Sequence, residues 1–305
     1  LGSTFLWQRR RAVTIIRAML DRFEPAGRGA ADPPAVPVMA QHAEAFEILA
    51  GDAGSGLVFL CDHATAIVPP DYGDLGLPAA EFRRHIAFDI GAEAVTRGLA
   101  ARFGAPAVLS RFSRLVIDPN RGTDDPTLLM RLSDGAVVPG NARADAEERT
   151  RRIARFWTPY DEAIGRTVRA ALGSGRVPSI VSIHSFTPVW KGVPRPWHAG
   201  ILWDADPRLA RPLVDALGAD GTMAVGDNEP YDGALAGDVL YRHATRRGLP
   251  NALIELRQDL VAEADGVAAW VARIAAALAA IRFAPDLAER RWFGSRSGPV
   301  TPRDD

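Results

Sequence analysis

A single cysteine, Cys61, stands in 305 residues. No disulfide can close within the chain, and a reducing, cytoplasmic setting is the expectation. Neither sign of charge is in excess. The formal net charge is −1, which removes the electrostatic basis for nucleic acid or an anionic membrane surface as a partner. No stretch of about 18 uninterrupted apolar residues occurs, so no membrane-spanning helix is expected. No Gly-x-Gly-x-x-Gly follows a strand-like run, and no Gly-x-x-x-x-Gly-Lys-Ser/Thr is present, which excludes the common nucleotide-phosphate cradles. No Gly-x-Ser-x-Gly elbow is present either, which leaves Ser185 a weak candidate for a serine hydrolase.

What remains is an ordinary soluble composition, 47% hydrophobic and 24% charged, in which strand-like and helix-like runs alternate. That alternation predicts an α/β fold, a mostly parallel or mixed sheet with helices on both faces. Residues 1–24 read as a short amphipathic helix and 25–40 as a flexible linker. Residues 41–285 read as one domain, and 286–305 as a charged, poorly ordered tail. Apolar residues at three- and four-residue spacing predict a helix over 78–103. Further helices are expected over 144–172, 207–217, 239–247 and 261–281. Buried strands are expected at 57–61, 107–109, 115–117, 179–183, 199–203 and 251–256. The arginines at 150–155 and 246–247 read as solvated helix faces.

Polar residues gather where the predicted strands end. Residues 113–121 run Ser-Arg-Leu-Val-Ile-Asp-Pro-Asn-Arg. The apolar run stops at Pro119, which has no N–H to give a ladder. Asn120 and Arg121 then stand at the open end, where their donors suit a carboxylate, with Arg114 a second fixed cation. His63 and His184 each follow a buried apolar run directly. In a parallel sheet both ends fall on one edge, and two imidazoles there suit zinc, with a carboxylate as third ligand and one position left for water. Asp89 is the favoured third ligand, with Asp62 and His85 as alternatives. Glu255 lies inside the apolar run 253–256. A carboxylate there either pairs with a cation such as Arg257 or works as a general base of tuned pKa.

Taken together, these positions resemble the N-formylglutamate amidohydrolase family. The resemblance rests on Cys-Asp-His-Ala at 61–64, His-Ile-Ala-Phe-Asp-Ile-Gly-Ala at 85–92, the 113–121 stretch, Ile-His-Ser-Phe at 183–186, Asn-Glu-Pro-Tyr at 228–231 and Ile-Glu-Leu-Arg-Gln-Asp-Leu at 254–260. It implies a three-layer α/β/α sandwich like that of the zinc carboxypeptidases and aspartoacylases. It also implies a single zinc ion and hydrolysis of a small N-acyl amino acid. Under it His63 and His184 match metal ligands, Glu255 the general base, Arg114 the residue that polarises the scissile carbonyl, and Asn120 and Arg121 the carboxylate clamp. One departure bears on the third ligand: the carboxypeptidases carry an acid three residues after the first histidine, where this chain has Ala66. Cys-Asp-His-Ala also replaces the Pro-His-Ser-Gly of better-known members, which points to a divergent branch with another N-acyl substrate. The competing expectation is a protein that keeps the carboxylate clamp and binds a ligand without turning it over.

Overall fold

A computed structural model describes residues 41–42 and 45–304. The helix and linker expected over residues 1–40 lie outside the described residues. The first strands are β1 (Gln41–His42), β2 (Phe46–Leu49), β3 (Leu57–Cys61) and β4 (Ala107–Ser110). A small hairpin, β5 (Leu132–Ser133) and β6 (Ala136–Val137), precedes β7 (Ser179–Phe186). A second hairpin, β8 (Val189–Trp190) and β9 (Val193–Pro194), precedes β10 (Ala199–Leu202), β11 (Val225–Asp227) and β12 (Asn251–Arg257). The helices are α1 (Ala92–Phe103), α2 (Pro139–Ala142), α3 (Ala146–Arg152), α4 (Thr158–Gly173), α5 (Pro207–Gly218), α6 (Val239–His243) and α7 (Ala264–Ile281).

The main sheet has the order β1-β2-β4-β3-β7-β12-β10-β11. Its centre, β4-β3-β7-β12, is parallel, while β1, β2 and the β12–β10 pairing are antiparallel. Side chains alternate across it. Leu57, Phe59 and Cys61 pack with α1, α5 and α7 on one face. Val58 and Leu60 pack with α4 and α6 on the other. The expected three-layer α/β/α sandwich is what forms.

Several local expectations are corrected. Residues 78–91 are not helical: they hold one 3-10 turn (Glu81–Arg83) and irregular chain, and α1 starts only at Ala92. The Asp89 amide donates to the His63 carbonyl (2.9 Å), so it leaves any local helix ladder. Residues 115–117 are buried but are not a strand. Two of their carbonyls accept from side chains instead: Asn141 Nδ2 donates to the Leu115 carbonyl (2.8 Å) and Arg152 Nη1 to that of Val116 (2.8 Å). Arg152 is therefore buried, not solvated, and Arg247 is buried as well. The segment between residue 121 and α3 contains the β5–β6 hairpin and α2. The helix expected over 144–172 passes through a π-helical turn, Ile153–Trp157, just before Pro159. Helix α7 is long and apolar enough by length and composition to cross a membrane. Here it turns Trp270, Ile274 and Leu278 into the core that α1 and α5 share. Residues 286–304, expected as a loose tail, lie along the domain. Leu287 is buried, and Arg296 donates to the Asp204 carbonyl (3.0 Å) and pairs with Asp232 (2.5 Å).

Candidate active site

The carboxyl ends of β3 and β7 carry His63 and His184 to one place. Their rings lie 4.9 Å apart, edge to face, and both are buried. Asp89 stands between them. Its Oδ2 is 3.3 Å from His63 Nδ1 and 2.8 Å from His184 Nδ1. One ligand atom from each of His63, Asp89 and His184 lies within 4.8 Å of the other two, so these residues could hold a metal ion. The loop between β3 and α1 delivers Asp89, held by its amide to the His63 carbonyl. Of the alternatives, His85 lies outside the cluster, 3.5 Å from Asp134 and edge-on to Trp190.

Asp62 has a different place. His184 Nε2 donates to its Oδ2 (2.9 Å), as does Ser182 Oγ (2.8 Å), and Tyr160 donates to its Oδ1 (2.8 Å). Asp118 does the same for the other ring: His63 Nε2 donates to its Oδ1 (2.7 Å). Each imidazole is thus held from behind by a carboxylate, which fixes the ring and leaves Nδ1 facing Asp89. Metal-binding histidines are commonly supported in this way. Neither support was assigned from the sequence. Asp118 lies inside the 113–121 stretch and Asp62 next to His63, so adjacency is the signal that could have found them.

The charge balance argues for a cation. Asp62, Asp89, Asp118 and Glu255 are buried here. Against them stands Arg114, with Nη2 2.8 Å from Asp118 and Nη1 3.5 Å from Asp89. Burial would raise the Asp89 carboxyl, yet the imidazoles of His63 and His184 hold it below the usual range. Burial would lower the His184 imidazole, but Asp62 and Asp89 keep it well above its ordinary value. A neutral ring with both nitrogens against carboxylates is repelled at one of them unless a proton or a metal ion intervenes. Two imidazole nitrogens and a carboxylate oxygen match what zinc prefers.

Glu255 follows from the strand register. It pairs with His184 across β12 and β7. Its side chain therefore leaves the sheet on the same face, beside the cluster. Its Oε2 is buried with no hydrogen-bond partner, and so is Ser185 Oγ. Arg257 does not pair with Glu255; it binds Asp259 (2.8 Å). Burial pushes the Glu255 carboxyl up to about 7, with His184 opposing and Asp89 adding to the shift. The orphan Ser185 Oγ makes no hydrogen bond to a histidine, which removes the basis for a Ser185–His184 hydrolase.

The turn at 119–121 is pinned from outside. Arg242 donates to the Pro119 carbonyl (3.0 Å), and Trp157 Nε1 to that of Arg121 (2.9 Å). Asn120 Oδ1 accepts from the Val239 amide (3.0 Å), so the oxygen is occupied and the amide NH₂ remains to donate. The Arg121 guanidinium is partly exposed, with Asp125 4.0 Å away. Asn228 Oδ1 accepts from the amides of Trp203 and Gly233, which shapes its turn. His243 is buried against Asp161 (2.6 Å).

A model of the N-formylglutamate amidohydrolase family matches residues 55–262, which contain every residue of this site. An N-formylglutamate deformylase of Pseudomonas aeruginosa is 30% identical over 160 residues, 47% of this chain; the chain spans 59% of that relative's length. Among solved structures, a gene product of Agrobacterium tumefaciens is 36% identical with a TM-score of 0.74, over 78% of this chain and 96% of that one. An N-formylglutamate amidohydrolase of Ralstonia eutropha shares the fold at 21% identity and a TM-score of 0.61, over 80% and 98% of the two chains. Because the family match spans more than half of its length, the chain belongs to the N-formylglutamate amidohydrolase family.

Proposed function

We propose that this chain is a zinc-dependent amidohydrolase that cleaves the amide of an N-acyl amino acid, with N-formyl-L-glutamate as the reference substrate, giving formate and the amino acid. The observation that carries the reading is the convergence of His63, Asp89 and His184 beside a buried carboxylate, Glu255, with an orphan oxygen. Zinc held by those three residues would supply a Lewis acid and would lower the pKa of water from about 16 toward about 7.

The remaining steps belong to the protein's own groups. Asn120 and Arg121 bind the substrate carboxylate and so hold the amide in place. Glu255, with a pKa near neutrality, takes the proton from the attacking water and hands it to the leaving nitrogen. Arg114 donates to the carbonyl oxygen as negative charge builds on it; losing one such donor typically costs about 2.7–4 kcal/mol. Asp62 and Asp118 keep the imidazoles in position.

Formate release from N-formyl-L-glutamate tests the reading. It should stop when a chelator strips the protein and return with added zinc. Release that ignores chelator, or no release from any N-formyl or N-acetyl amino acid with zinc present, would count against it. In the second case a carboxylate-binding protein without turnover is what remains.

Two substitutions probe the supporting groups. Arg121→Ala should raise KM for the N-acyl amino acid about 10- to 100-fold, the loss expected for a charged hydrogen bond, with kcat changed far less. Asp118→Asn should weaken zinc binding about 10- to 100-fold in competition with a metal-binding dye.

A further inference from the structure

Arg195 carries a charge that none of the described carboxylates neutralises within 4.0 Å. It follows β9 and is half-buried. Its amide donates to the Pro188 carbonyl (2.8 Å), which fixes the base of the β8–β9 hairpin. Its guanidinium carbon lies 5.6 Å from the Phe186 ring centre, 5.3 Å from Trp190 and 5.0 Å from Tyr231. Nη1 bonds to neutral groups only, Tyr231 Oη at 3.0 Å, Thr187 Oγ1 at 3.3 Å and the Thr187 carbonyl at 3.4 Å. Nε and Nη2 have no partner among the described residues. Rings against the faces of a guanidinium hold its plane and leave the in-plane donors open. The open edge, Nε with Nη2, is the one that binds a carboxylate through two parallel bonds.

The register puts this cation over the site. Phe186 is two residues beyond His184, so both side chains leave β7 on one face. Glu255 pairs with His184, and Gly200 with Glu255, so those positions share that face. At Gly200 the turn bearing Tyr231 lies directly on the sheet: a Cβ there would run into the Glu229 carbonyl oxygen. Phe186 and Tyr231, two of the rings around Arg195, therefore flank the strand ends that carry His184 and Glu255.

We propose that Arg195 is the specificity residue for the substrate side chain, and that it selects N-acyl derivatives of acidic amino acids by binding their side-chain carboxylate through Nε and Nη2. The inference rests on the amidohydrolase reading above for its account of the other carboxylate, which Asn120 and Arg121 take. A half-buried guanidinium without an anion is costly, and a second carboxylate on the ligand offsets that cost where a neutral amide does not.

The test compares isosteric ligands. With zinc present, calorimetry should show the wild-type protein binding L-glutamate about 10- to 100-fold more tightly than L-glutamine, the range for one charge-assisted hydrogen-bond pair. Arg195→Gln should bring the two within about threefold, chiefly by weakening glutamate binding. Arg195→Lys should keep part of the preference. Formate release from N-formyl-L-glutamate and N-formyl-L-glutamine should follow the same pattern in kcat/KM. Equal binding of the two amino acids by the wild type, no detectable binding of glutamate, or a preference that survives Arg195→Gln would overturn the proposal. If neither formyl compound is hydrolysed while the binding preference holds, the catalytic reading falls and the role of Arg195 stands.

Discussion

Glu255→Gln is expected to cut turnover of N-formyl-L-glutamate by about 10²–10⁴-fold, the usual contribution of a positioned general base, while one zinc ion still binds. Glutamine keeps the size and loses the proton acceptor, and Glu255 is not among the residues that converge on the candidate metal position. The same substitution should change stability in the metal-free protein. Burial raises the Glu255 carboxyl from an ordinary 4.5 to about 7. The folded chain therefore binds this proton more tightly than the unfolded chain. The stability contributed is complete below pH 4.5, falls as pH rises, and is lost above about 7. Glutamine does not titrate, so urea unfolding should show the variant gaining on the wild type between pH 4.5 and 7 and holding that gain above. Wild-type turnover in the variant would remove Glu255 from the base role. A stability difference that does not vary with pH would mean the carboxyl is not perturbed.

His63→Ala and His184→Ala should each bring bound zinc below about a tenth of an ion per chain at micromolar metal, with formate release falling to background. Each removes one of the three residues that could hold the ion, and a catalytic zinc site commonly has just three protein ligands. Stability gives a second readout. Asp62, Asp89, Asp118 and Glu255 are buried, and Arg114 pairs with Asp118 and Asp89, so a divalent cation would compensate charge that is otherwise costly to bury. Zinc should raise the wild-type Tm, as any ligand of the native state does. It should leave the Tm of the His184→Ala protein where it was. A zinc-dependent Tm in both histidine variants would place the ion elsewhere.

The parts of this site that can be read from the sequence are those governed by strand periodicity. His63 and His184 stand at the ends of largely apolar runs, and parallel pairing puts such ends on one edge. Glu255 interrupts an apolar run, and register with His184 decides its face. The segments read wrongly are those whose backbone is satisfied by something other than its own ladder. Residues 115–117 look like a strand because Leu-Val-Ile does, but Asn141 and Arg152 take their carbonyls. Phe82, Ile86 and Ile90 recur at helical spacing, yet the chain ahead of α1 follows His63 and not a helix axis. The supporting roles of Asp62 and Asp118 escape local pattern for a related reason. Alternation sends Asp62 and His63 to opposite faces of a continuing strand, but β3 ends at Cys61 and both then reach the site. Asp118 meets His63 from 55 residues away, a contact local pattern does not encode.

X-ray absorption at the zinc edge of the metal-loaded protein tests the centre most directly. Two imidazole nitrogens and one carboxylate oxygen at about 2.0–2.2 Å are expected, with one ion per chain and no sulfur. The His184→Ala protein should lack that signal. A zinc shell without histidine, or one unchanged by the substitution, would contradict the account.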